Sequence, residues 1–203
     1  MEEDHAVNLL KNGNLCGLEY LVGKYQVKAI QAAYLILGDR GLAEDTAQSA
    51  FLTSAEKIHQ FDSSRPFGPW FYRIVVNSAL KTCLRESKRV SLNAGDGEES
   101  LPGWLIDPSR TPEEMVESAE TRREVWQAIR KLTLKQRTAL VMRYYLKMTD
   151  KEISQELNRP LSAIRWSIYA GHERLRTLLS SLHPASERQT TTPHPNPKVE
   201  RKQ

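Results

Sequence analysis

Between Thr149 and Trp166 the chain specifies two short helices and forces a turn between them. Thr149 followed at the third position by Glu152 forms a capping box. In it, each side chain satisfies an amide that a helix start leaves without a partner. Ile153 and Leu157 then share a face, Asn158 suits a left-handed stop, and Pro160 forbids continuation of the helix. Ser162 is placed to cap a second helix, along which Ile164, Ile168, Gly171, Leu175 and Leu178 form a narrow inward stripe. A short helix, a tight turn and a longer helix make a helix-turn-helix, which sets its second helix in a DNA major groove. Nucleic acid is the first partner this implies.

The same signals recur upstream. Thr133 to Gln136 is a second capping box, opening a helix with Leu140, Val141, Tyr144 and Tyr145. Thr111-Pro112-Glu113 joins a cap, a first-turn proline and an acid, and starts a helix carrying Met115, Ala119, Val125, Trp126, Ile129 and Leu132. Nearer the N-terminus, Leu15, Leu18, Val22, Tyr25, Ala29, Ala32 and Ile36 predict a helix over about 15–37, ended by Gly38-Asp39. Ala43, Ala47, Ala50, Phe51 and Ile58 predict a second over about 42–59, and Pro69 opens a third that runs to about 87. The pattern also admits a short helix near 3–11. No strand-like alternation occurs, so the fold class is all-α.

The reading divides the chain into two small helical domains, 1–89 and 112–183, joined by a flexible linker over 90–111. That linker is rich in Gly, Pro and acid, and the Pro/Thr/Lys-rich tail at 184–203 has no periodicity. Neither can bury enough apolar surface to fold alone. Hydrophobic residues are 39% and no apolar run reaches the roughly 20 residues of a spanning helix, which argues against membrane insertion. Met-Glu-Glu-Asp-His at the start has no basic or apolar character of a secretion signal, and a cytoplasmic protein is expected. Cys16 and Cys83 read as reduced core residues. Five histidines lack metal-ligand spacing, and no phosphate loop or nucleophile elbow occurs, so neither enzyme activity nor a cofactor is expected.

A wheel of the third helix puts Tyr72, Val75, Val76, Ala79, Leu80 and Cys83 on one side. The other side collects Trp70, Ile74, Asn77, Lys81, Arg85 and Lys88, with Arg73 at its edge. Cations that follow phosphates, an aromatic that stacks on bases and an amide that reads a base edge suit single-stranded DNA. A solvated basic face would look the same. The second helix presents Glu44, Asp45, Gln48 and Phe51 near its start, either complementing the helix dipole or forming a protein-binding strip.

Taken in order, Ala43-Glu-Asp-Thr-Ala-Gln-Ser-Ala-Phe51, Phe61-Asp62, Arg65-Pro-Phe-Gly-Pro-Trp-Phe-Tyr-Arg-Ile-Val-Val-Asn77 and a terminal helix-turn-helix resemble the extracytoplasmic-function sigma factors. The resemblance covers about 15–89 as sigma region two and about 115–180 as sigma region four. It implies a bacterial factor that binds core RNA polymerase and directs promoter-specific initiation. Glu44, Asp45, Gln48 and Phe51 would dock on the polymerase clamp helices. The loop with Phe61, Asp62, Arg65 and Phe67 would capture a flipped base of the −10 element. Trp70, Arg73, Asn77, Lys81 and Arg85 would hold the separated strand and adjoining duplex. The second helix of the helix-turn-helix, with Ser162, Ala163, Arg165, Trp166, Tyr169, Ala170 and Arg174, would read the −35 duplex. An anti-sigma factor is a further partner common in the class.

Two departures from the class stand out. Ser49 replaces the acid that usually follows Gln48, and the reading helix carries aromatics where the class has several basic residues. Trp166, Tyr169, Ala170 and Glu173 are outermost on a wheel set by Ile164, a face whose aromatics can contact thymine methyls or flank phosphates but that gives less counterion release than an arginine-rich one. A stand-alone helix-turn-helix regulator is the alternative, though it leaves the strip at 44–51 and the third helix unexplained.

Overall fold

The structure is a computed structural model and describes residues 2–89 and 123–180. Four helices form its first block: α1 Glu3–Lys11, α2 Cys16–Leu37, α3 Arg40–Glu56 and α4 Phe67–Arg89, with a single 3₁₀ turn at Ile58–Gln60 between the last two. The second block holds α5 at 123–130, α6 Leu134–Leu140, a π turn at Val141–Tyr145, α7 Asp150–Glu156 and α8 Leu161–Ser180. Among the described residues there is no strand, and no helix is long and apolar enough to cross a membrane. The predicted linker and tail lie outside the described residues, as does the helix start at Thr111.

Local chemistry sets the helix ends. Gly38 takes φ 78° and closes α2 through its amide on the Tyr34 carbonyl. That left-handed conformation costs glycine little because it has no Cβ. Asp39, expected only to end α2, instead caps α3 by accepting from the Leu42 amide at 2.7 Å. Both predicted capping boxes are present, at Thr133–Gln136 and Thr149–Glu152. Asn158, at φ 48°, is the left-handed stop expected after α7.

The first block is built on small residues. Ala29, Ala32, Ala33, Ala43, Ala47 and Ala50 are fully buried and let α2 and α3 approach closely. Against them lies an aromatic layer in which Tyr25, Phe61, Phe67, Phe71 and Tyr72 pack ring to ring. Such pairs add about 0.5–1.5 kcal/mol each beyond the area they bury. Glu3 ties α1 to this layer. It accepts from Lys24 Nζ and the Tyr25 hydroxyl, each at 2.5 Å, and from the Phe67 amide at 3.3 Å at the start of α4.

The two blocks, expected to be joined by a tether, share one buried cluster that includes Trp126, Val141, Met142, Ile153 and Ile164. Trp126 of α5 stacks on Tyr34 of α2, with ring centroids 4.6 Å apart and planes at 17°. The Tyr145 hydroxyl donates to Gln31, and the Lys28 ammonium lies 5.1 Å from the Tyr72 ring and 5.8 Å from the Tyr145 ring. Burial pushes the Tyr145 phenol up to about 12, so it remains a neutral donor at this junction.

Four expectations are corrected. Leu15, predicted on the inward stripe of α2, precedes the helix and is exposed; Cys16, taken as core, is exposed at the first position of α2. Ser162 lies inside the first turn of α8, because Pro160 already supplies the carbonyl that accepts from the Ala163 amide. The helix predicted from Thr133 through Tyr145 gives way at Val141 to a π turn, closed by the Leu146 amide on the Val141 carbonyl.

Candidate nucleic-acid interface

Three surfaces carry the residues singled out above. On α3, Glu44, Asp45 and Gln48 are exposed along one face, with Arg40 Nε paired to Glu44 at 2.8 Å. Phe51 does not belong to that face. It is 5% exposed and packed on Phe71, because its position follows the buried alanine stripe of the same helix. The apolar residue the strip does present is Leu52, 58% exposed, one turn beyond Gln48. Sequence reasoning missed it, although a wheel aligned on Asp45 and Gln48 places it there.

The loop before α4 is internally braced. Asp62 accepts from the Ser64 amide at 3.0 Å and hydroxyl at 2.7 Å, and Arg65 Nε lies 3.4 Å away. Hydrogen bonds from Ser64 foremost hold the Asp62 carboxyl below the usual range. Lys11 Nζ reaches across from α1 to the Phe61 carbonyl at 2.9 Å and the Ser63 hydroxyl at 2.7 Å. Phe61 and Phe67, expected to meet a base, are buried beneath the loop, where both pack on Trp70. Their rings meet each other instead of solvent, with Phe67 carried into the aromatic layer as the first residue of α4. Asp62 and Arg65 remain on the surface, and Trp70 is half-buried beside them.

Along α4, Lys81 and Arg85 are exposed and Arg73 and Asn77 are half-buried, one turn apart. Both half-buried residues meet the second block. Asn77 Nδ2 donates to Glu156 Oε1 at 2.5 Å, and Arg73 Nε stands 3.5 Å from Glu156 Oε2. Glu156 is the last residue of α7, and nothing in the sequence points to this contact. The faces of the two candidate readers, the α4 helix and the helix-turn-helix, therefore touch.

On α8, Ser162, Arg165, Trp166, Tyr169 and Arg174 are exposed, with Ala163 and Ala170 half-buried between them. Trp166 and Tyr169 are 67% and 58% exposed, and their rings lie side by side with centroids 5.8 Å apart. Asp150 of α7 stands 3.5 Å from both Arg165 Nε and Arg143 Nε, which fixes the cation at the edge of the aromatic pair. Glu173 is turned to Arg176 at 3.0 Å, so its charge is offset along the helix. His172 meets the Tyr144 hydroxyl at 2.6 Å, which joins the π turn to α8.

The matching regions in known proteins coincide with these surfaces. Residues 21–89 match the family model Sigma-70 region 2, and residues 122–171 match Sigma-70, region 4. The chain is 32% identical over 179 residues to the ECF RNA polymerase sigma factor SigW of Bacillus subtilis (strain 168), covering 87% of this chain and 96% of that protein. It is 26% identical over 172 residues to the ECF RNA polymerase sigma-E factor of Escherichia coli (strain K12), covering 82% and 88%. Among solved structures, the sigma factor RpoE in complex with the anti-sigma factor NepR from Bartonella quintana is similar in fold. Its TM-score is 0.63 at 16% identity, covering 84% of this chain and 99% of that one. CnrH in complex with the cytosolic domain of CnrY gives a TM-score of 0.58 at 19% identity, covering 88% and 97%.

Proposed function

Since the chain belongs to the ECF sigma factors of the sigma-70 family, a group of transcription initiation factors and not enzymes, we propose how its surfaces divide the work of initiation. The exposed strip of α3, Glu44, Asp45, Gln48 and Leu52, docks on core RNA polymerase. Phe51 supports it from within. The loop with Asp62 and Arg65, and the α4 face with Trp70, Arg73, Asn77, Lys81 and Arg85, take the separated strand at the −10 element. Phe61 and Phe67 hold that loop in shape. The α8 face with Ser162, Arg165, Trp166, Tyr169 and Arg174 enters the major groove of the −35 duplex.

The observation that carries this reading is the pairing, on one chain, of an exposed aromatic helix-turn-helix face with a cation-lined helix behind a braced loop. A closed duplex presents edges to the first, and unstacked bases suit the second. A stand-alone duplex-binding regulator has no use for the α4 face. In this reading the domains are 1–89 and 112–183, with 90–111 as the connection and 184–203 as the tail, and the protein works in the cytoplasm. An anti-sigma factor is a fitting partner, given that both solved relatives above were captured with a second protein. The cleft between α4 and the second block, walled by Leu80, Leu84, Leu134, Leu157 and Ile164, is the place for it.

Run-off transcription with core polymerase on a genomic promoter library tests the proposal. Start sites that appear only when the protein is added, sharing two elements at fixed spacing, are expected. Start sites no different from those of core polymerase alone would overturn it.

A further inference from the structure

Glu156 closes α7 with a negative charge at a helix C-terminus, where the helix dipole opposes it. Its placement is explained across the block boundary instead. One carboxylate oxygen takes the Asn77 amide at 2.5 Å and the other faces Arg73 Nε at 3.5 Å. A phosphodiester offers the same pattern, two anionic oxygens on one atom, to an amide and a guanidinium one helical turn apart. The fit is imperfect in a telling way. Arg73 Nε is buried and, at 3.5 Å from the carboxylate, makes no hydrogen bond. A phosphate, with more acceptor directions than a carboxylate, would satisfy it.

We propose that Arg73 and Asn77 form a phosphate site for the separated DNA strand and that Glu156 occupies it in the free chain as an internal mimic. The inference rests on the strand-binding role of α4 given above and adds its regulation. The two readers cannot both engage until α7 leaves α4. Contacts that pull the blocks apart, such as docking on the polymerase, would therefore expose the strand site, while the reading face of α8 is exposed already. The closed chain is thus kept from binding single strands on its own.

The test uses the full-length chain and a fluorescein-labelled single-stranded DNA of mixed sequence, read by anisotropy at about 0.1 M salt. Glu156→Ala is expected to tighten binding about tenfold, the scale of a hydrogen bond to a charged group. Glu156→Gln keeps an acceptor for Asn77 and should gain less. Adding Arg73→Ala should abolish the gain. Glu56→Ala, which removes an exposed acid from α3, controls for the change in net charge. Circular dichroism verifies that each variant is folded, and Glu156→Gln serves if Glu156→Ala is not. Affinity equal to that of wild type or of Glu56→Ala, or a gain that survives Arg73→Ala, would overturn the proposal. Run-off transcription by the wild type decides the initiation reading separately, so failure of one is distinct from failure of the other.

Discussion

Phe51 stacks on Phe71 with ring centroids 4.4 Å apart and planes at 29°, joining α3 to α4 across the centre of the first block. Its neighbour Leu52 points the other way, into solvent. With the α3 strip proposed as the docking surface, these adjacent residues separate folding from docking. Phe51→Ala should cost about 3–5 kcal/mol of stability by opening a cavity in a close-packed core. Leu52→Ala should leave stability within about 0.5 kcal/mol but weaken co-purification with core polymerase several-fold. Asp45→Ala with Gln48→Ala should weaken it further. Thermal melts beside pull-downs check both; a Phe51→Ala variant that melts like wild type contradicts the packing, and unchanged capture by Leu52→Ala contradicts the strip.

The contrast shows where sequence reasoning succeeds and where it fails. Thr133, Thr149, Asn158 and Gly38 act on residues within a turn of themselves, so their caps and stops can be read directly from spacing. Phe51 fits both the alanine stripe and the strip that the resemblance implies, and the structure buries it with the stripe against Phe71. The π turn at Val141–Tyr145 is marked by no breaker residue, since an i+5 bond needs only a local slip of register. Asn77 and Glu156 are 79 residues apart, and no local pattern encodes that meeting. The loop phenylalanines went to the interior for the same reason, because burial is decided by what packs beside them.

Gly17 and Gly23 lie on the same helix and should respond oppositely to alanine. A Cβ at Gly17 would come within 2.1 Å of the Ala6 carbonyl oxygen and 2.8 Å of the Leu10 amide, both backbone atoms of α1. Helix propensity gains at most about 1 kcal/mol on this change, and overpacking costs about 1–3 kcal/mol or more, so the clash wins. Gly17→Ala should lose about 2 kcal/mol and loosen α1, seen as faster hydrogen exchange at Ala6, Val7 and Leu10. A Cβ at Gly23 meets nothing within 4 Å, and Gly23→Ala should gain about 0.5–1 kcal/mol. A stable Gly17→Ala variant would refute the close approach of the two helices.

Glu3 makes the first block acid-sensitive. Burial disfavours its charge, but hydrogen bonds from Lys24 and Tyr25 together outweigh that and hold its carboxyl below 4.5. With the folded pKa depressed, the carboxylate contributes stability that is present above about 4.5 and is lost as pH falls through the folded value. Glu3→Gln should therefore be less stable than wild type at pH 7, with the gap shrinking as the pH drops below 4.5. Denaturant melts across that range measure it. A gap that persists unchanged to low pH would assign the effect to packing of the side chain instead.

In the proposed reading, Trp166 and Tyr169 make a specific demand on the −35 duplex. Arg165 is held at the edge of their face by Asp150, so the centre of the surface proposed to enter the groove is apolar. Thymine is the base that offers an apolar group there, its C5 methyl. Burying one methyl is worth about 0.8 kcal/mol, a factor of about four in affinity. In a −35 duplex selected by the holoenzyme from a random pool, uracil in place of thymine should weaken binding by about that factor at one or two positions. Trp166→Ala should bind both duplexes equally at its position, and Tyr169→Phe should behave as wild type. If the wild-type holoenzyme makes no distinction between thymine and uracil, the aromatic pair contacts the sugar-phosphate backbone and the bases are read by Ser162 and Arg165.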